Sequence, residues 1–179
     1  MGWNMSWGKY DSFYLIAYPP ENLVDSIISW GYDHIPCDNL FEDINDPSFG
    51  REKNIHLTIL SNLEETSADK LKTAINNEPT TCCVLGEIKL FKNNSKYDVV
   101  LVEVLNKEVK DLHKNISQSI KSSNKFPVYL PHITIAYVKK GLGDQFLNDK
   151  YFVGQEFKIV ELVLSYNLTD KGAFKLGKS

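Results

Sequence analysis

Two short segments of the sequence carry the same arrangement of chemically useful side chains. The first, HLTI, begins at His56, and the second, HITI, begins at His132. Successive side chains of an extended strand point to opposite faces, so Thr58 shares a face with His56 and Thr134 shares a face with His132. Each strand is therefore expected to present one imidazole and one hydroxyl side by side, with apolar neighbours on the other face.

Two such strands brought face to face suit a phosphodiester substrate. Imidazole has the side-chain pKa that allows both removal and delivery of a proton near neutral pH. One histidine can deprotonate an attacking hydroxyl or water while the other protonates the leaving oxygen, and each threonine hydroxyl can donate to a phosphate oxygen. The scheme needs no metal or cofactor, and we find no metal-ligand or nucleotide-loop motif elsewhere in the sequence. The alternative is two ordinary strand histidines whose rings hydrogen-bond to nearby hydroxyls or carbonyls.

The elements that must position these residues follow from apolar spacing and turn residues. Three helices alternate irregularly with strands, two pairs of which resemble hairpins. This order predicts an α+β fold with largely antiparallel sheet, in preference to a doubly wound parallel sheet. The predicted strands cover residues 10–18, 55–61, 81–91, 97–105, 130–138, 156–166 and 172–176, and the predicted helices cover 21–31, 68–78 and 106–122.

Length and composition limit the classes of protein. The 179 residues suit one domain or two small lobes, and a net charge of -3 argues against a stable complex with long nucleic acid. No apolar run reaches the ~18 residues needed to span a membrane. Three cysteines, two of them adjacent, argue against a disulfide framework. We expect a cytoplasmic protein with a small nucleotide as partner, and the sequence leaves the oligomeric state open.

The pair of motifs, HLTI at His56 and HITI at His132, resembles the 2H phosphoesterase superfamily. The resemblance covers nearly the whole chain and implies one domain over residues 1–179, built as two lobes with one motif each. It implies the bilobal, pseudo-symmetric fold of RNA ligase/cyclic phosphodiesterase proteins, with antiparallel sheets lining a central groove and helices outside. It also implies that His56, Thr58, His132 and Thr134 are the catalytic residues.

Within that superfamily the sequence resembles a small phage group that contains the anti-CBASS enzymes, which cleave the cyclic di- and trinucleotides that bacteria use as infection alarms. The likeness lies in GREKNIHLTIL, YLPHITIAYV and FVGQEFKIVELVLSYN. It implies a metal-independent phosphodiesterase that cleaves 3′,5′ bonds of such cyclic nucleotides in the host bacterial cytosol. One alternative is action on RNA ends, 2′,5′-oligoadenylate or 2′,3′-cyclic phosphates. Another is a non-catalytic module that sequesters nucleotides.

Residues that contact the nucleotide are suggested partly by this resemblance. Stacking on an aromatic ring contributes ~1–3 kcal/mol per base, and Tyr14 and Tyr18 share a face of the first strand. In the phage group an N-terminal tyrosine contacts the ligand, and we assign that role to Tyr14. The group also uses an acidic and an aromatic residue beyond the second motif, which spacing assigns to Glu161 and Tyr166. The alternatives are a core or rim position for Tyr14 and an exposed strand edge for Glu161.

Some residues near the motifs are expected to lie outside the site. Strict alternation along the second motif strand places Tyr137 on the buried face with Ile133 and Ile135. The remaining histidines, His34 in a long loop and His113 beside the apolar stripe of the third helix, are expected at the surface or at a helix boundary.

Overall fold

The chain folds into eight strands and three helices in the computed structural model, which describes residues 12–123 and 128–177. Two residues of the predicted first strand, Tyr10 and Asp11, lie outside the described part. The elements are β1 (Phe13–Ala17), α1 (Glu21–His34), β2 (Leu57–Leu63), α2 (Ala68–Asn76), β3 (Thr81–Phe91), β4 (Tyr97–Val104), α3 (Lys107–Ser119), β5 (His132–Lys139), β6 (Glu156–Ile159), β7 (Glu161–Tyr166) and β8 (Thr169–Lys175). In the described part no helix is long and apolar enough to cross a membrane.

The strands form one antiparallel sheet in the order β6-β3-β4-β5-β2-β1-β7-β8. It divides into two halves of four strands each, which meet where β5 pairs with β2. Helix α1 packs on β5, α3 packs on β2 and β3, and α2 packs on β8. The predicted α+β class and the antiparallel pairing are confirmed. The predicted single strand over 156–166 is wrong, because Val160 divides it into β6, which pairs with β3, and β7, which pairs with β1.

The two faces of the sheet differ in composition. Leu57 and Ile133 form the described pair between β2 and β5, and both are fully buried in the apolar core. Because side chains alternate, the residues on either side of this pair point to the opposite face. We call this the open face; His56, Thr58, His132 and Thr134 lie at its centre, each half-buried.

Both motif strands contain a β-bulge directly after the motif threonine. Ile59 is the extra residue in β2, opposite β1, and Ile135 is the extra residue in β5, opposite β4. A bulge shifts the alternation by one position and re-aims the side chains beyond it. Tyr137 therefore returns to the open face, where its side chain hydrogen-bonds to that of Thr134. Tyr137 is buried as expected, but on the open face and not on the core face with Ile133 and Ile135.

An ion pair with a buried carboxylate holds the end of β5 against β4. The Asp98 side chain is fully buried, and its carboxylate accepts hydrogen bonds from Lys140 Nζ and from the Gly141 N–H, each at 2.8 Å. Replacing Asp98 with alanine is expected to lower the free energy of unfolding by about 2–3 kcal/mol, since both donors lose a charged partner. Urea denaturation measures this loss. The exposed pair between Lys107 and Asp111 is the control, and Lys107→Ala is expected to leave the free energy of unfolding nearly unchanged. Equal effects of the two substitutions would contradict the role given to Asp98.

Candidate active site

The register of β2 and β5 brings the two motifs together. Because the strands are antiparallel and Leu57 faces Ile133, His56 lies across from Thr134 and Thr58 lies across from His132. Facing Cβ atoms in such a ladder are about 5 Å apart and diagonal neighbours about 7–8 Å apart. The two histidines occupy one diagonal and the two threonines the other, around a local two-fold axis. One phosphate group over this centre can reach all four side chains.

The two imidazole rings are held by equivalent hydrogen bonds. His56 Nδ1 lies 2.6 Å from the Asn54 carbonyl oxygen, and His132 Nδ1 lies 2.6 Å from the Leu130 carbonyl oxygen. A carbonyl can only accept, so each Nδ1 carries the proton and donates it. Each Nε2 is therefore the nitrogen that exchanges a proton with a substrate. Hydrogen bonds from the rings to nearby carbonyls are the alternative to catalysis given above. Those bonds are present, but they use only Nδ1 of each ring and orient Nε2 toward the open face.

The surroundings of His132 favour its neutral form. Burial lowers the pKa of His132, and the nearby positive charge of protonated His56 lowers it further, while the hydrogen bond to Leu130 acts in the opposite direction. The imidazole of His132 is thus neutral at neutral pH and able to accept a proton. Because the charge of one ring lowers the pKa of the other, the arrangement disfavours two imidazolium ions at once.

An aromatic and a polar residue flank His132 on the open face. The ring of Phe91, at the end of β3, meets the His132 ring edge-to-face with 4.7 Å between centroids. Glu103 of β4 lies directly across from His132 in the ladder, and its Oε1 accepts the Glu87 N–H at 3.1 Å. Sequence reasoning missed both residues, since their proximity depends on the pairing of β3, β4 and β5.

Four aromatic rings cluster beside Thr134. The long loop between α1 and β2 contributes two of them because it is tied to β5 by backbone hydrogen bonds, among them Phe41 N–H to Tyr137 O and Tyr137 N–H to Gly50 O. Neighbouring ring centroids lie between 5.0 and 5.5 Å apart. Burial raises the pKa of both tyrosines of the cluster, so both keep their hydroxyl proton. The rings of this aromatic cluster belong to Phe41, Phe49, Tyr97 and Tyr137.

Two of the three predicted ligand-binding residues lie on the open face. Tyr14 pairs with Ser165 of β7 and lies two positions from Ile16, which faces Thr58 across the β1–β2 ladder. The Tyr14 phenol is close enough to Tyr137 to raise the pKa of that residue. Glu161 is exposed at the start of β7, on the same face as Ser165 and two strands, or roughly 10 Å, from β2.

Tyr166 lies on the other face of the sheet. In β7, Glu161 and Ser165 occupy alternate positions that face the open side, and Tyr166 directly follows Ser165. Its ring packs at 4.8 Å on the ring of Phe13, which itself packs against the apolar core. The side-chain alternation of β7 therefore places Tyr166 away from the four central residues, and we leave it out of the candidate site.

Tyr18 belongs to a hydrogen-bonded chain that reaches the carbonyl holding His56. The Tyr18 hydroxyl donates to Asp170 Oδ1 at 2.8 Å, and the Asn54 side-chain amide approaches the same hydroxyl oxygen at 3.5 Å. Asn54 is the residue whose carbonyl accepts from His56 Nδ1.

Over residues 12–123 and 128–177, no group of three or more His, Cys, Asp or Glu side chains is placed to hold a metal ion.

No family model matches the chain, and no curated protein matches its sequence. Several solved structures share its fold. The superposition on E. coli LigT complexed with 3′-AMP covers 95% of this chain and 100% of LigT, with 17% sequence identity and a TM-score of 0.66. The superposition on TT0787 of Thermus thermophilus covers 93% of this chain and 99% of TT0787, with 14% identity and a TM-score of 0.67. The superposition on Kluyveromyces marxianus Usb1 covers 93% of this chain and 99% of Usb1, with 10% identity and a TM-score of 0.59. The chain therefore shares the fold of LigT and of these other solved structures, and the predicted fold is confirmed.

Proposed function

We propose that the protein is a member of the 2H phosphoesterase superfamily and a metal-independent phosphodiesterase. The observation that carries this proposal is the symmetric centre of the open face, with two imidazoles on one diagonal and two hydroxyls on the other. The equivalent Nδ1 hydrogen bonds leave Nε2 of each ring for proton transfer. The shared fold with LigT and with a structure described as a phosphoesterase is consistent with it.

In the proposed reaction His132 starts as the general base and His56 as the general acid. His132 Nε2 takes the proton of the attacking hydroxyl, whose oxygen forms a new bond to phosphorus. His56 Nε2 gives its proton to the 5′-oxygen as the bond from that oxygen to phosphorus breaks. The hydroxyls of Thr58 and Thr134 donate to the non-bridging oxygens, where negative charge grows in the transition state. The lowered pKa of His132 supports this assignment of the base.

When the attacking group is the ribose 2′-hydroxyl, the first product is a 2′,3′-cyclic phosphate. The histidines have then exchanged protonation states, with His132 protonated and His56 neutral. A water molecule can be deprotonated by His56 and attack phosphorus, while His132 returns a proton to the 2′-oxygen. This second step yields a 3′-phosphate and restores both rings to their starting states.

The substrate class we propose is a cyclic di- or trinucleotide, cleaved at a 3′,5′ bond as by the phage anti-CBASS enzymes. Aromatic side chains surround the symmetric centre, with Phe91 against His132 and the aromatic cluster beside Thr134, where Tyr14 lies close to Tyr137. The bases of a small cyclic nucleotide could stack on these rings while a phosphate lies over the centre. LigT has been crystallised with 3′-AMP, ATP and NADP+, which are all small nucleotides.

A substrate panel in the presence of EDTA tests the function. The panel contains cyclic di- and trinucleotides, linear 2′,5′- and 3′,5′-oligoadenylates and a 2′,3′-cyclic nucleotide, with His56→Ala/His132→Ala as the inactive control. We expect wild-type protein alone to cleave the cyclic dinucleotides or trinucleotides, as measured by chromatography of the products. Cleavage limited to linear or 2′,3′-cyclic compounds would move the function to RNA ends or oligoadenylate. Tight binding without cleavage would instead favour a sequestering module.

A further inference from the structure

Two side chains from outside the sheet bind consecutive carbonyls of motif strand β2. The Tyr129 hydroxyl donates to the Thr58 carbonyl oxygen at 2.8 Å, and His113 Nδ1 donates to the Ile59 carbonyl oxygen at 2.7 Å. The rings of Tyr129 and His113 stack with centroids 3.9 Å apart and planes inclined by 10°. We call this the Tyr129–His113 pair. His113 is half-buried, beside the buried apolar face of α3.

The two carbonyls lie where the sheet is irregular. The described ladder between β2 and β5 consists of the Leu57–Ile133 pair, and Ile59 is the bulged residue opposite β1. A buried backbone carbonyl left without a donor is costly. On the other motif strand the equivalent carbonyl, that of Ile135, accepts from the backbone N–H of Glu52 at 2.8 Å. In β2 the Thr58 and Ile59 carbonyls accept from two side chains, which substitution can remove.

Tyr129 also connects the two motifs. It lies next in sequence to Leu130, whose carbonyl orients His132 Nδ1. Its hydroxyl, at the other end of the side chain, holds Thr58. Burial raises the pKa of Tyr129 far above its ordinary value, so the hydroxyl keeps the proton that it donates. The same residue thus sets the separation between the hydroxyl-bearing strand of one motif and the imidazole of the other.

We propose that the Tyr129–His113 pair consists of positioning residues, which hold Thr58 at the correct distance from His132 without touching the substrate. This inference rests on the proposed function. A displacement of reacting groups by 1 Å can cost about 100-fold in rate. Loss of one of the two carbonyl contacts is expected to displace Thr58 by less than about 1 Å. The rate is therefore expected to fall by less than about 100-fold.

The first test is Tyr129→Phe, which keeps the ring and its stacking but removes the hydroxyl. We expect kcat to fall about tenfold while KM stays within about twofold, since the contact acts on the transition state through Thr58. Asn106→Ala is the matched control, because the Asn106 side chain accepts the Val84 N–H at 3.0 Å at the start of α3. It should lower stability with kcat unchanged. An unchanged kcat for Tyr129→Phe, or a change in KM alone, overturns the inference.

His113 provides a second test by conservative rescue. A glutamine amide can still donate to the Ile59 carbonyl, whereas leucine cannot. We expect His113→Gln to keep kcat within about threefold of wild type and His113→Leu to lose about tenfold. Wild-type kcat in both variants would contradict a positioning role.

A binding measurement separates failure of this inference from failure of the proposed function. Inorganic phosphate is titrated into wild-type protein and into Tyr129→Phe, and the backbone amide signals of Thr58 and Thr134 are followed by NMR. We expect both signals to shift in wild type, and the Thr58 shift to be reduced at least about twofold in the variant while Thr134 responds normally. Equal responses of Thr58 in the two proteins overturn the positioning role even if the protein cleaves none of the compounds tested.

Discussion

Replacing His132 or His56 with alanine is expected to lower kcat/KM for an unactivated nucleotide diester by about 10²–10⁴-fold each. Each substitution removes one of the two proton transfers, and the facing threonines have no group that can replace an imidazole. The fold should be kept, because the hydrogen bond of each ring is local: each Nδ1 binds the carbonyl of the residue two positions earlier in the chain. Steady-state rates with thermal unfolding as a check measure the effect.

An activated substrate can assign the two roles. A nucleoside 3′-(p-nitrophenyl phosphate) offers the same 2′-hydroxyl nucleophile, but its leaving group departs without protonation. We expect kcat/KM of His56→Ala on this compound to lie within about tenfold of the wild-type value, because this variant has lost only the general acid. His132→Ala should remain inactive, because it lacks the base. Recovery of His132→Ala alone would reverse the assignment, and equal recovery of both variants would contradict an acid–base pair.

The matched control for these substitutions is His34→Ala. His34 also binds a carbonyl through Nδ1, that of Trp30 at 2.9 Å, and its ring stacks on Trp30 at the end of α1. Its substitution therefore removes an imidazole with the same kind of carbonyl contact, away from the open face. We expect wild-type activity on both substrates, and a loss comparable to that of His56→Ala would show that the assay reports general damage to the fold.

Removing the hydroxyl of a motif threonine is expected to cause the second large loss of kcat. Thr58→Val and Thr134→Val keep the shape and the strand preference of threonine but lose the donor. Each is expected to lower kcat by about 10²–10³-fold, the cost of one donor to a developing negative charge. KM should change little, because the hydrogen bond is stronger in the transition state than in the ground state. Steady-state kinetics on the substrate identified by the panel measure both constants.

Serine provides the control at the same positions, since Thr58→Ser and Thr134→Ser keep the hydroxyl. We expect these variants to retain most of the activity, within about tenfold of wild type. If valine and serine reduce kcat equally, the methyl group and not the hydroxyl is important, and the phosphate contacts proposed for the threonines are wrong. If valine raises KM and leaves kcat unchanged, the threonines bind the ground state only.

Much of the fold was predictable because it depends on local patterns. Apolar spacing in helices α1 and α3 matches the buried faces in the structure, with Ile27 and Trp30 buried in α1 and Leu112 and Ile116 buried in α3. Side-chain alternation correctly placed His56 with Thr58 and His132 with Thr134, because each pair lies before the bulge in its strand. Such predictions need only the geometry of a few neighbouring residues.

Long-range pairing decided the rest. The bulge at Ile135 moved Tyr137 to the open face, and the sequence contains no local signal for that extra residue. The Tyr129–His113 pair and the aromatic cluster each join residues far apart in the chain, so neither follows from spacing. Which side chains of β7 share the open face depended on its pairing with β1, which places Ser165 beside Tyr14.

The sequence by itself therefore determined the residue types of the site, their grouping into two strands that carry the same motif, and the kind of chemistry that these residues suit. Only the tertiary structure decided that these strands are neighbours in register, which rings surround them and how their carbonyls are held. The physical reason is that a strand's own periodicity controls which face each side chain takes. Its partner, its register and its bulges depend on hydrogen bonds to segments distant in the chain.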